Sequence, residues 1–245
     1  MHFSIVIPTY NSSSTITELV EEIFHTIKGH SFQIVLVNDG SSDDTHAHCT
    51  GLADLHPETV LYIPLEKNSG QDNAILTGLR HARGDYVIIM DDDFQNPPSE
   101  IPVILRAAAE NQHDLIYCSY SKKHQHWFRQ TGSALASLCA TLLLNKPASL
   151  YMSSFKCLTR SLVNKICADP GPLPCIDGLA LRYANNIGSI NCRHAPSRIP
   201  RSRYTPRKLI VAWLSLLSAN QHLQMMLHPL ILRVCSFSAW KEGRT

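Results

Sequence analysis

Residues Tyr86 to Pro98 read Y-V-I-I-M-D-D-D-F-Q-N-P-P and predict a buried β-strand that ends in three consecutive carboxylates. The apolar run from Tyr86 to Met90 is typical of a strand that is covered on both faces, as in parallel sheets. Three adjacent carboxylates repel each other unless a positive charge lies among them. In open α/β sheets, ligands bind at the carboxyl ends of the strands. This stretch therefore predicts both the fold class and the place of a functional site.

The spacing of the carboxylates divides them into two sets. In an extended segment alternate residues point to the same side, so Asp91 and Asp93 can share one cation while Asp92 points elsewhere. Gln95 continues the alternation and can add a third oxygen ligand. Oxygen ligands are those that Mg²⁺ and Mn²⁺ prefer. The alternative interpretation of the triplet is an acidic helix N-cap or a solvated turn.

The rest of the first half alternates strand and helix patterns, which predicts an α/β fold with a mostly parallel sheet flanked by helices. Predicted strands cover residues 3–7, 32–37, 60–63, 86–90 and 115–118, the last of which closes the parallel set. Predicted helices cover residues 16–27, a segment after Ser42, residues 70–81 and residues 98–109. We expect Pro8 to stop the first strand and the segment from Ser12 to Ser14 to cap the first helix.

The second half of the chain gives weaker patterns. Residues 155–158 favour a strand, residues 161–166 favour a helix, and a Pro-Gly-Pro-x-Pro loop leads to Ile176-Asp177-Gly178. The apolar stretches 134–144 and 209–219 are shorter than the about 20 residues that a membrane-spanning helix needs. They fit core helices or helices that lie in a membrane interface.

Two further loops follow predicted strands. In Asn38-Asp39-Gly40-Ser41-Ser42, Asp39 can accept an N–H from a nucleobase and Gly40 permits a tight turn. In Pro8-Thr9-Tyr10-Asn11, the ring of Tyr10 offers a face on which a base can stack. Taken singly, each loop is better interpreted as an ordinary turn. Three such loops at strand ends are much more specific than one.

The combination resembles the family 2 glycosyltransferases of GT-A fold. The motifs that carry the resemblance are S-I-V-I-P-T-Y-N, V-N-D-G-S-S-D-D-T, N-S-G-Q-D-N-A and G-D-Y-V-I-I-M-D-D-D-F-Q-N-P-P. The last motif resembles most the branch of dolichol-phosphate mannose synthase and the bacterial undecaprenyl-phosphate glycosyltransferases. The resemblance extends over residues 3–215 and implies a GT-A domain at 1–205, followed at 206–245 by helices that lie in a membrane interface.

The resemblance also implies which residues would bind the substrates. A metal ion would be held by Asp91, Asp93 and Gln95, with Asp92 beside the donor sugar or the base, so that the three aspartates form the catalytic centre. The acceptor phosphate and the sugar would contact Arg129, Ser133 and Asp177. The donor nucleotide would contact Pro8, Thr9, Tyr10, Asn11, Asp39, Gly40, Ser41, Asn68, Gln71, Asp92, Arg198 and Ser202.

The implied reaction is an inverting transfer from a UDP- or GDP-sugar to a polyprenyl phosphate, with Mg²⁺ or Mn²⁺ as cofactor. A lipid phosphate is already an anion at neutral pH, so it can attack C1 of the sugar without a general base. Two alternatives remain open at this point. One is the same donor chemistry with a glycan or lipopolysaccharide acceptor, and the other is a nucleotide-binding relative that has lost transfer.

Composition and charge are those of a globular protein. The 245 residues are 44% hydrophobic and 17% charged, with a formal net charge of +2, so the chain as a whole is not a polyanion binder. A basic stretch indicates contact with phosphates or an acidic membrane surface. The acidic triplet on the binding edge counts against a nucleic-acid partner, and homo-oligomerisation is left open. The basic residues of the stretch are Arg193, Arg198, Arg201, Arg203, Arg207 and Lys208.

The eight cysteines are scattered and include no C-x-x-C pair. The N-terminus lacks the charged start and the long apolar stretch of a signal peptide. We therefore expect reduced thiols in a cytoplasmic protein that is peripheral at the inner face of the membrane. A metal site at His46-Ala47-His48-Cys49 is a weaker alternative for that segment, which fits a surface helix better.

The sequence departs from the resembled branch in three places. Tyr120 stands where the branch often has an arginine, and the late segment lacks a glycine that usually separates its arginine from its serine, with Arg201 in that region. Most bacterial relatives continue into two transmembrane helices, whereas the corresponding segment here is only the short stretch 230–240. These departures affect the acceptor side and leave the donor motifs intact.

Overall fold

The computed structural model describes residues 2–120, 150–169, 171 and 174–198. These residues belong to two compact units: residues 2–120, 151–169 and 183–198 to the first, and residues 150, 171 and 174–182 to the second. The expected domain boundary after residue 205 lies outside the described residues. The predicted interfacial stretches 134–144 and 209–219 lie outside them as well.

Within the described residues, seven strands form one mixed sheet in the order β3-β2-β1-β4-β6-β5-β7. β6 pairs antiparallel with both β4 and β5, and all other pairs are parallel. The predicted α/β fold with a mostly parallel sheet is therefore confirmed. The strands are β1 (His2–Thr9), β2 (Ser31–Asn38), β3 (Val60–Pro64), β4 (Tyr86–Ile89), β5 (Leu115–Ser119), β6 (Lys156–Thr159) and β7 (Ile187–Asn191).

Helices flank the sheet of the first unit, and the alternation of side chains along the strands supplies their packing surfaces. Phe3 and Ile5 of β1 join the large apolar cluster that includes residues of α1, α2 and α4. Val6 points the other way, toward Gly78 of α3. The helices of this unit are α1 (Ile16–Thr26), α2 (Thr45–Leu55), α3 (Gln71–His81), α4 (Ile101–Asn111, after a 3₁₀ turn at Pro98–Glu100) and α5 (Arg160–Cys167). A further helix, α6 (Ile176–Tyr183), belongs to the second unit except for its last residue.

The expectation that Pro8 stops the first strand is wrong. β1 continues to Thr9, and Pro8 is in register with Val37 of β2. On its other side β1 pairs with β4 only as far as Val6. Backbone groups alternate sides along a strand, and Thr9 accepts from the N–H of Asp39 on the β2 side. The proline nitrogen therefore faces the side where β4 has ended, and no ladder hydrogen bond is lost.

The expectation that residues 12–14 cap α1 is also wrong. The residue at the N-cap is Thr15, and its side chain accepts no capping hydrogen bond. Ser12 is buried and its hydroxyl donates to Asp92. Its carbonyl accepts from the N–H groups of Thr15 and Ile16, each at 3.0 Å. The side chain of Ser12 thus serves the acidic turn after β4, whereas only its carbonyl contacts the start of the helix.

The expectation that the strand at residues 115–118 closes the parallel set needs correction. β5 does not lie beside β4, because the antiparallel β6 is inserted between them. Ile176-Asp177-Gly178, to which the proline-rich loop leads, forms the first turn of α6. The strand predicted at 155–158 and the helix predicted at 161–166 correspond to β6 and α5.

The expectation that all cysteines are reduced is contradicted by Cys118 and Cys192. These two residues form a disulfide between the end of β5 and the residue after β7, with their Cα atoms 5.5 Å apart. The cysteines are 74 residues apart in the sequence, so spacing alone gave no sign of the pairing. The parallel pairing of β5 with β7 brings them together. Cys49, Cys157, Cys167 and Cys175 are free thiols.

Across the described ranges, no helix has both the length and the hydropathy needed to cross a bilayer.

Replacement of Gly84 by alanine is expected to destabilise the fold. A Cβ at this position would lie 2.3 Å from Cα of Phe3 and 2.4 Å from the backbone nitrogen of Ser4, so β1 would have to move. Overpacking of this kind costs about 1–3 kcal/mol, which urea-induced unfolding of Gly84→Ala would measure. Gly51→Ala is the matched control: its Cβ would meet nothing within 4 Å, and alanine stabilises a helix interior by about 0.5–1 kcal/mol. Equal unfolding free energies for the two variants would contradict the close approach of Gly84 to β1.

Oxidised protein is expected to yield a peptide in which Cys118 is linked to Cys192. Mass spectrometry after denaturation, alkylation and proteolysis without reductant tests this pairing. Cys157 is the control, because it is a free thiol and should be alkylated in the same sample. Complete alkylation of Cys118 and Cys192 in protein purified under air would contradict the disulfide.

Candidate active site

Three loops meet at one edge of the sheet. β2, β1 and β4 are adjacent and parallel, so the loops that follow Asn38, Thr9 and Ile89 lie at the same edge. The N–H of Asp39 donates to the carbonyl of Thr9 at 2.9 Å and ties the first two loops together. This edge is where ligands bind in open α/β sheets.

The acidic turn after β4 alternates partly exposed and buried side chains. Phe94 has a φ of 63°, a left-handed conformation that is rare for a bulky residue and costs about 1–3 kcal/mol. The ring of Phe94 lies in the apolar cluster, which holds the backbone in this conformation. The partly exposed residues are Asp91, Asp93 and Gln95, and the buried ones are Asp92, Phe94 and Asn96.

The buried Asp92 holds the loop after β1. It is 5% exposed and accepts a hydrogen bond from the hydroxyl of Ser12. The same hydroxyl accepts from the N–H of Tyr10 at 3.1 Å, and the N–H of Ser12 donates to Thr45 at 2.7 Å. The charge of Asp92 is thus directed into the structure, where it links β4 to the loop that carries Tyr10.

Asp91 lies between the acidic turn and α3. Its Oδ1 accepts from Nε2 of Gln71 at 2.8 Å. The pKa of Asp91 is raised to about 6, chiefly by burial and then by the charges of Asp93 and Asp92, whereas a hydrogen bond from Ser154 and the charge of Lys156 act in the opposite direction. Burial and like charges both disfavour the ionised carboxyl, so a cation beside it would be stabilising.

The donor set at this turn fits a hard divalent cation. Asp91, Asp93 and Gln95 offer oxygen atoms as ligands, and the backbone N–H of Gln95 donates to Oδ1 of Asp93 at 3.0 Å, which orients that carboxylate. In residues 2–120, 150–169, 171 and 174–198, no group of three or more His, Cys, Asp or Glu residues is arranged to hold a metal ion. Magnesium commonly binds through one or two carboxylates together with waters and substrate phosphates. Asp91, Asp93 and Gln95 are the residues at this turn that could hold such an ion.

Asp39 is fixed by the segment that precedes α3. The side chain is 4% exposed and accepts from the N–H and the hydroxyl of Ser69 at 2.6 and 2.9 Å and from the N–H of Gly70 at 3.0 Å. Gly40 has a φ of 64°, and a Cβ there would lie 2.5 Å from the backbone nitrogen of Asn68. The glycine is therefore required both by its dihedral angle and by the approach of the segment before α3.

A second set of hydrogen bonds joins the loops after β1 and β2. Oγ of Ser41 accepts from the N–H of Asn11 at 2.9 Å and donates to Oδ1 of Asn38 at 2.5 Å. In return, Oδ1 of Asn11 accepts from the N–H of Ser42 at 2.9 Å. Asn11 has a φ of 51°. These bonds give the two loops one arrangement, in which Tyr10 is partly exposed at the edge.

A strap formed by residues 192–198 runs antiparallel along the acidic turn. The N–H of Ala195 donates to the carbonyl of Gln95, and the N–H of Arg198 donates to the carbonyl of Asp93, each at 3.0 Å. The guanidinium of Arg198 lies 3.9 Å from the ring centroid of Phe94 and pairs with Glu18 of α1 at 2.5 Å. The strap thus places the guanidinium of Arg198, its last residue, at the edge of the sheet that carries the acidic turn.

Not every predicted site residue can be related to this edge. Arg129, Ser133 and Ser202 lie outside the described residues. Asp177 belongs to the second unit, where it lies in the first turn of α6. Pro8 is buried within β1, whereas Asn68 is exposed on the segment before α3.

Three residues at the site were not predicted as such. Ser12 and Glu18 belong to none of the three strand-end motifs. Ser12 is recognised only by its contact with Asp92, and Glu18 only by its contact with Arg198. Lys156 did give a signal, because it is a lysine inside an apolar run. It is 4% exposed and its charge acts on Asp91.

The alternative metal site on α2 is excluded by its contacts. Nδ1 of His46 is 2.8 Å from the hydroxyl of Tyr62, and Nδ1 of His48 is 3.1 Å from that of Thr17. The two imidazoles therefore face different neighbours.

Curated relatives come from bacteria. The undecaprenyl-phosphate 4-deoxy-4-formamido-L-arabinose transferase of Proteus mirabilis is 31% identical over 209 residues, which are 84% of this chain and 64% of the relative. The protein of the same name from Pseudomonas fluorescens is 32% identical over 210 residues, 84% of this chain and 61% of the relative. This chain thus spans less than two thirds of these relatives.

Solved structures show the same fold. Glucosyl-3-phosphoglycerate synthase from Mycobacterium tuberculosis, in complex with Mn²⁺, UDP and glucosyl-3-phosphoglycerate, matches with a TM-score of 0.67 and 18% identity over 89% of this chain and 79% of that one. The sequence profile described as glycosyl transferase family 2 matches residues 4–165, which include β1 to β4 and the acidic turn. The strand-end loops, the fold and this match agree, and the chain belongs to glycosyl transferase family 2.

Proposed function

We propose that this chain transfers a sugar from a UDP- or GDP-sugar to a polyprenyl phosphate, with inversion at C1 of the sugar. The observation that carries the proposal is the pair of partly exposed carboxylates Asp91 and Asp93 at the edge of the sheet, next to Gln71. The names of the curated relatives support a polyprenyl-phosphate acceptor. Membership of the family supports a glycosyl transfer.

The donor nucleotide would occupy the edge formed by the loops after β1 and β2. Asp39 would accept from the base, and its carboxylate is already oriented by Ser69 and Gly70. Tyr10 would stack on the base, and Arg198 would turn from Glu18 toward the diphosphate. The other contacts proposed for the nucleotide are Pro8, Thr9, Asn11, Gly40, Ser41, Asn68, Gln71, Asp92 and Ser202.

Asp91, Asp93 and Gln95 would hold Mg²⁺ or Mn²⁺ between the sheet edge and the diphosphate. When bound, the ion neutralises the diphosphate and makes the nucleoside diphosphate a better leaving group. The complex of a protein of similar fold with Mn²⁺ and UDP supports this choice of ion. Asp92, fixed on Ser12, would position the loop that carries Tyr10.

The acceptor needs little chemical activation. A lipid phosphate is an anion at neutral pH and can attack C1 directly, so the protein has only to align the two substrates and stabilise the developing charge. A single displacement inverts the configuration at C1. Arg129, Ser133 and Asp177 are the proposed contacts of the acceptor and the sugar. The reaction would take place with the protein peripheral at the inner face of the membrane.

A glycan or lipopolysaccharide acceptor is the second candidate. Tyr120 favours it, because this residue stands where the resembled branch often has an arginine. The donor chemistry would be the same in both cases.

Purified protein is expected to release nucleoside diphosphate when it is given Mn²⁺, undecaprenyl phosphate and one member of a panel of UDP- and GDP-sugars. Release should require the lipid phosphate, because the acceptor is the nucleophile. Parallel reactions with lipopolysaccharide intermediates identify the second candidate. If no donor gives release with any acceptor, the proposed transfer is wrong.

Asp93→Asn is expected to weaken Mn²⁺-dependent binding of the nucleoside diphosphate about tenfold or more, the usual effect of disturbing a metal site. Calorimetric titrations with and without Mn²⁺ measure the change. Asp54→Asn is the matched control, because it removes the same charge from an exposed position on α2. Unchanged affinity in Asp93→Asn would rule out Asp93 as a ligand of the ion.

A further inference from the structure

An aromatic cluster lies beside the acidic turn, on the opposite side from Tyr10. It consists of Tyr120, Tyr151 and His194. The ring centroids of Tyr120 and Tyr151 are 5.7 Å apart with their planes nearly perpendicular at 72°, and those of Tyr120 and His194 are 4.3 Å apart. The three residues come from three separate segments of the first unit.

Tyr120 attaches the cluster to the acidic turn. Its hydroxyl donates to Oδ1 of Asn96, which directly follows Gln95. Burial raises the pKa of Tyr120, and the charges of Asp91 and Asp93 act in the same direction. The phenol therefore remains protonated and keeps its role as a donor. The hydrogen bond to Asn96 places the phenol hydroxyl next to the segment that carries the proposed metal ligands.

The two outer rings are exposed. Tyr151 is 38% exposed, although large aromatic side chains are commonly buried in a fold of this kind. His194 is exposed as well. Tyr120 in the middle is partly buried, so it supports the other two rings rather than covering them. An exposed aromatic pair on a buried support is suited to contact with a ligand.

The backbone around the cluster is anchored. His194 belongs to the strap, which is bonded to Gln95 through the N–H of Ala195 and to Ser119 through the N–H of Cys192 at 2.9 Å. The segment of Tyr151 continues into Ser153, whose hydroxyl donates to the carbonyl of Phe155 at 2.6 Å. The rings are therefore held in place before any ligand arrives.

The order of the strands indicates which part of a donor would reach the cluster. Tyr10 and Asp39 follow β1 and β2, the acidic turn follows β4, and the cluster lies at the ends of β6, β5 and β7. Neighbouring strands are about 4.8 Å apart, so β5 lies about 10 Å beyond β4. A nucleotide with its base at β1 and β2 and its diphosphate at the acidic turn presents the group on its far phosphate toward β6 and β5. In a nucleotide-sugar this group is the sugar.

We propose that Tyr151 and His194, supported by Tyr120, form the binding site for the sugar that is transferred. A sugar ring has an apolar C–H face that packs on aromatic rings, and the phenol and imidazole can hydrogen-bond to its hydroxyl groups. The inference rests on the proposed function and deepens it, because it assigns the residues that distinguish one sugar from another. A nucleobase at this cluster is the competing assignment.

Calorimetric titrations in the presence of Mn²⁺ separate the sugar from the nucleotide. The probes are UDP-glucose, UDP-galactose, UDP-xylose and GDP-mannose, together with UDP and GDP. For the nucleotide-sugar that the unchanged protein binds most tightly, Tyr151→Ala is expected to reduce affinity about threefold to tenfold, the range of an aromatic contact. Affinity for the matching nucleoside diphosphate is expected to stay within about twofold. Tyr151→Phe should restore most of the loss, because it retains the ring.

His194→Ala is expected, like Tyr151→Ala, to weaken binding of the nucleotide-sugar but not of the nucleoside diphosphate. His25→Ala is its control, since both histidines are exposed and His25 is on α1. Thermal unfolding of each variant verifies the fold. Equal weakening of the nucleoside diphosphate and the nucleotide-sugar by Tyr151→Ala would assign the cluster to the base and overturn the inference. Unchanged affinity for both would overturn it as well and leave the proposed function standing. If the unchanged protein binds no nucleotide of the panel, the proposed function fails and the inference fails with it.

Discussion

The repulsion among Asp91, Asp92 and Asp93 is the constraint on which the site depends. Three charges on consecutive residues must be separated or neutralised, and the structure does both. The left-handed Phe94 turns the chain so that Asp92 is buried on Ser12, while Asp91 and Asp93 stay at the surface. The apolar cluster, which contains Phe94, provides the energy that keeps this turn in place. The packing of Phe94 in the core therefore determines how the three aspartate side chains are arranged at the edge of the sheet.

The segments around the acidic turn also contact it and orient its side chains and backbone. Gln71 at the start of α3 donates to Asp91, and the charge of Lys156 on β6 acts on it from the other side. The strap contributes backbone donors to the carbonyls of Asp93 and Gln95. These contacts orient the turn, while burial and the neighbouring charges raise the pKa of Asp91. In the proposed site a bound cation would offset the like charges, and the phosphates of the donor would complete its coordination.

The part of the fold that carries the proposed donor site was predicted well from the sequence, because its strands and turns have local sequence signals. Apolar runs followed by polar turns mark β1, β2 and β4, and parallel neighbours necessarily bring their carboxyl ends to one edge. The misplaced features depend on long-range contacts. The insertion of β6 between β4 and β5 and the pairing of Cys118 with Cys192 are set by strand order, which no local pattern encodes. The role of Ser12 was missed for the same reason, since its partner is 80 residues away.

The order of the strands also suits one edge of the sheet to both the proposed nucleotide site and the proposed sugar site. The half of the sheet from β3 to β4 has all its strands parallel, and each βα connection places a loop at the edge. The antiparallel β6 reverses the chain, so the segment before this strand, rather than the one after it, reaches the same edge. Tyr151 arrives there by this route, and the ends of β5 and β7 supply Tyr120 and His194. These segments contain none of the strand-end motifs of the proposed nucleotide site, so changes in them would leave that site intact. This arrangement would allow the family to keep one donor chemistry while changing the sugar.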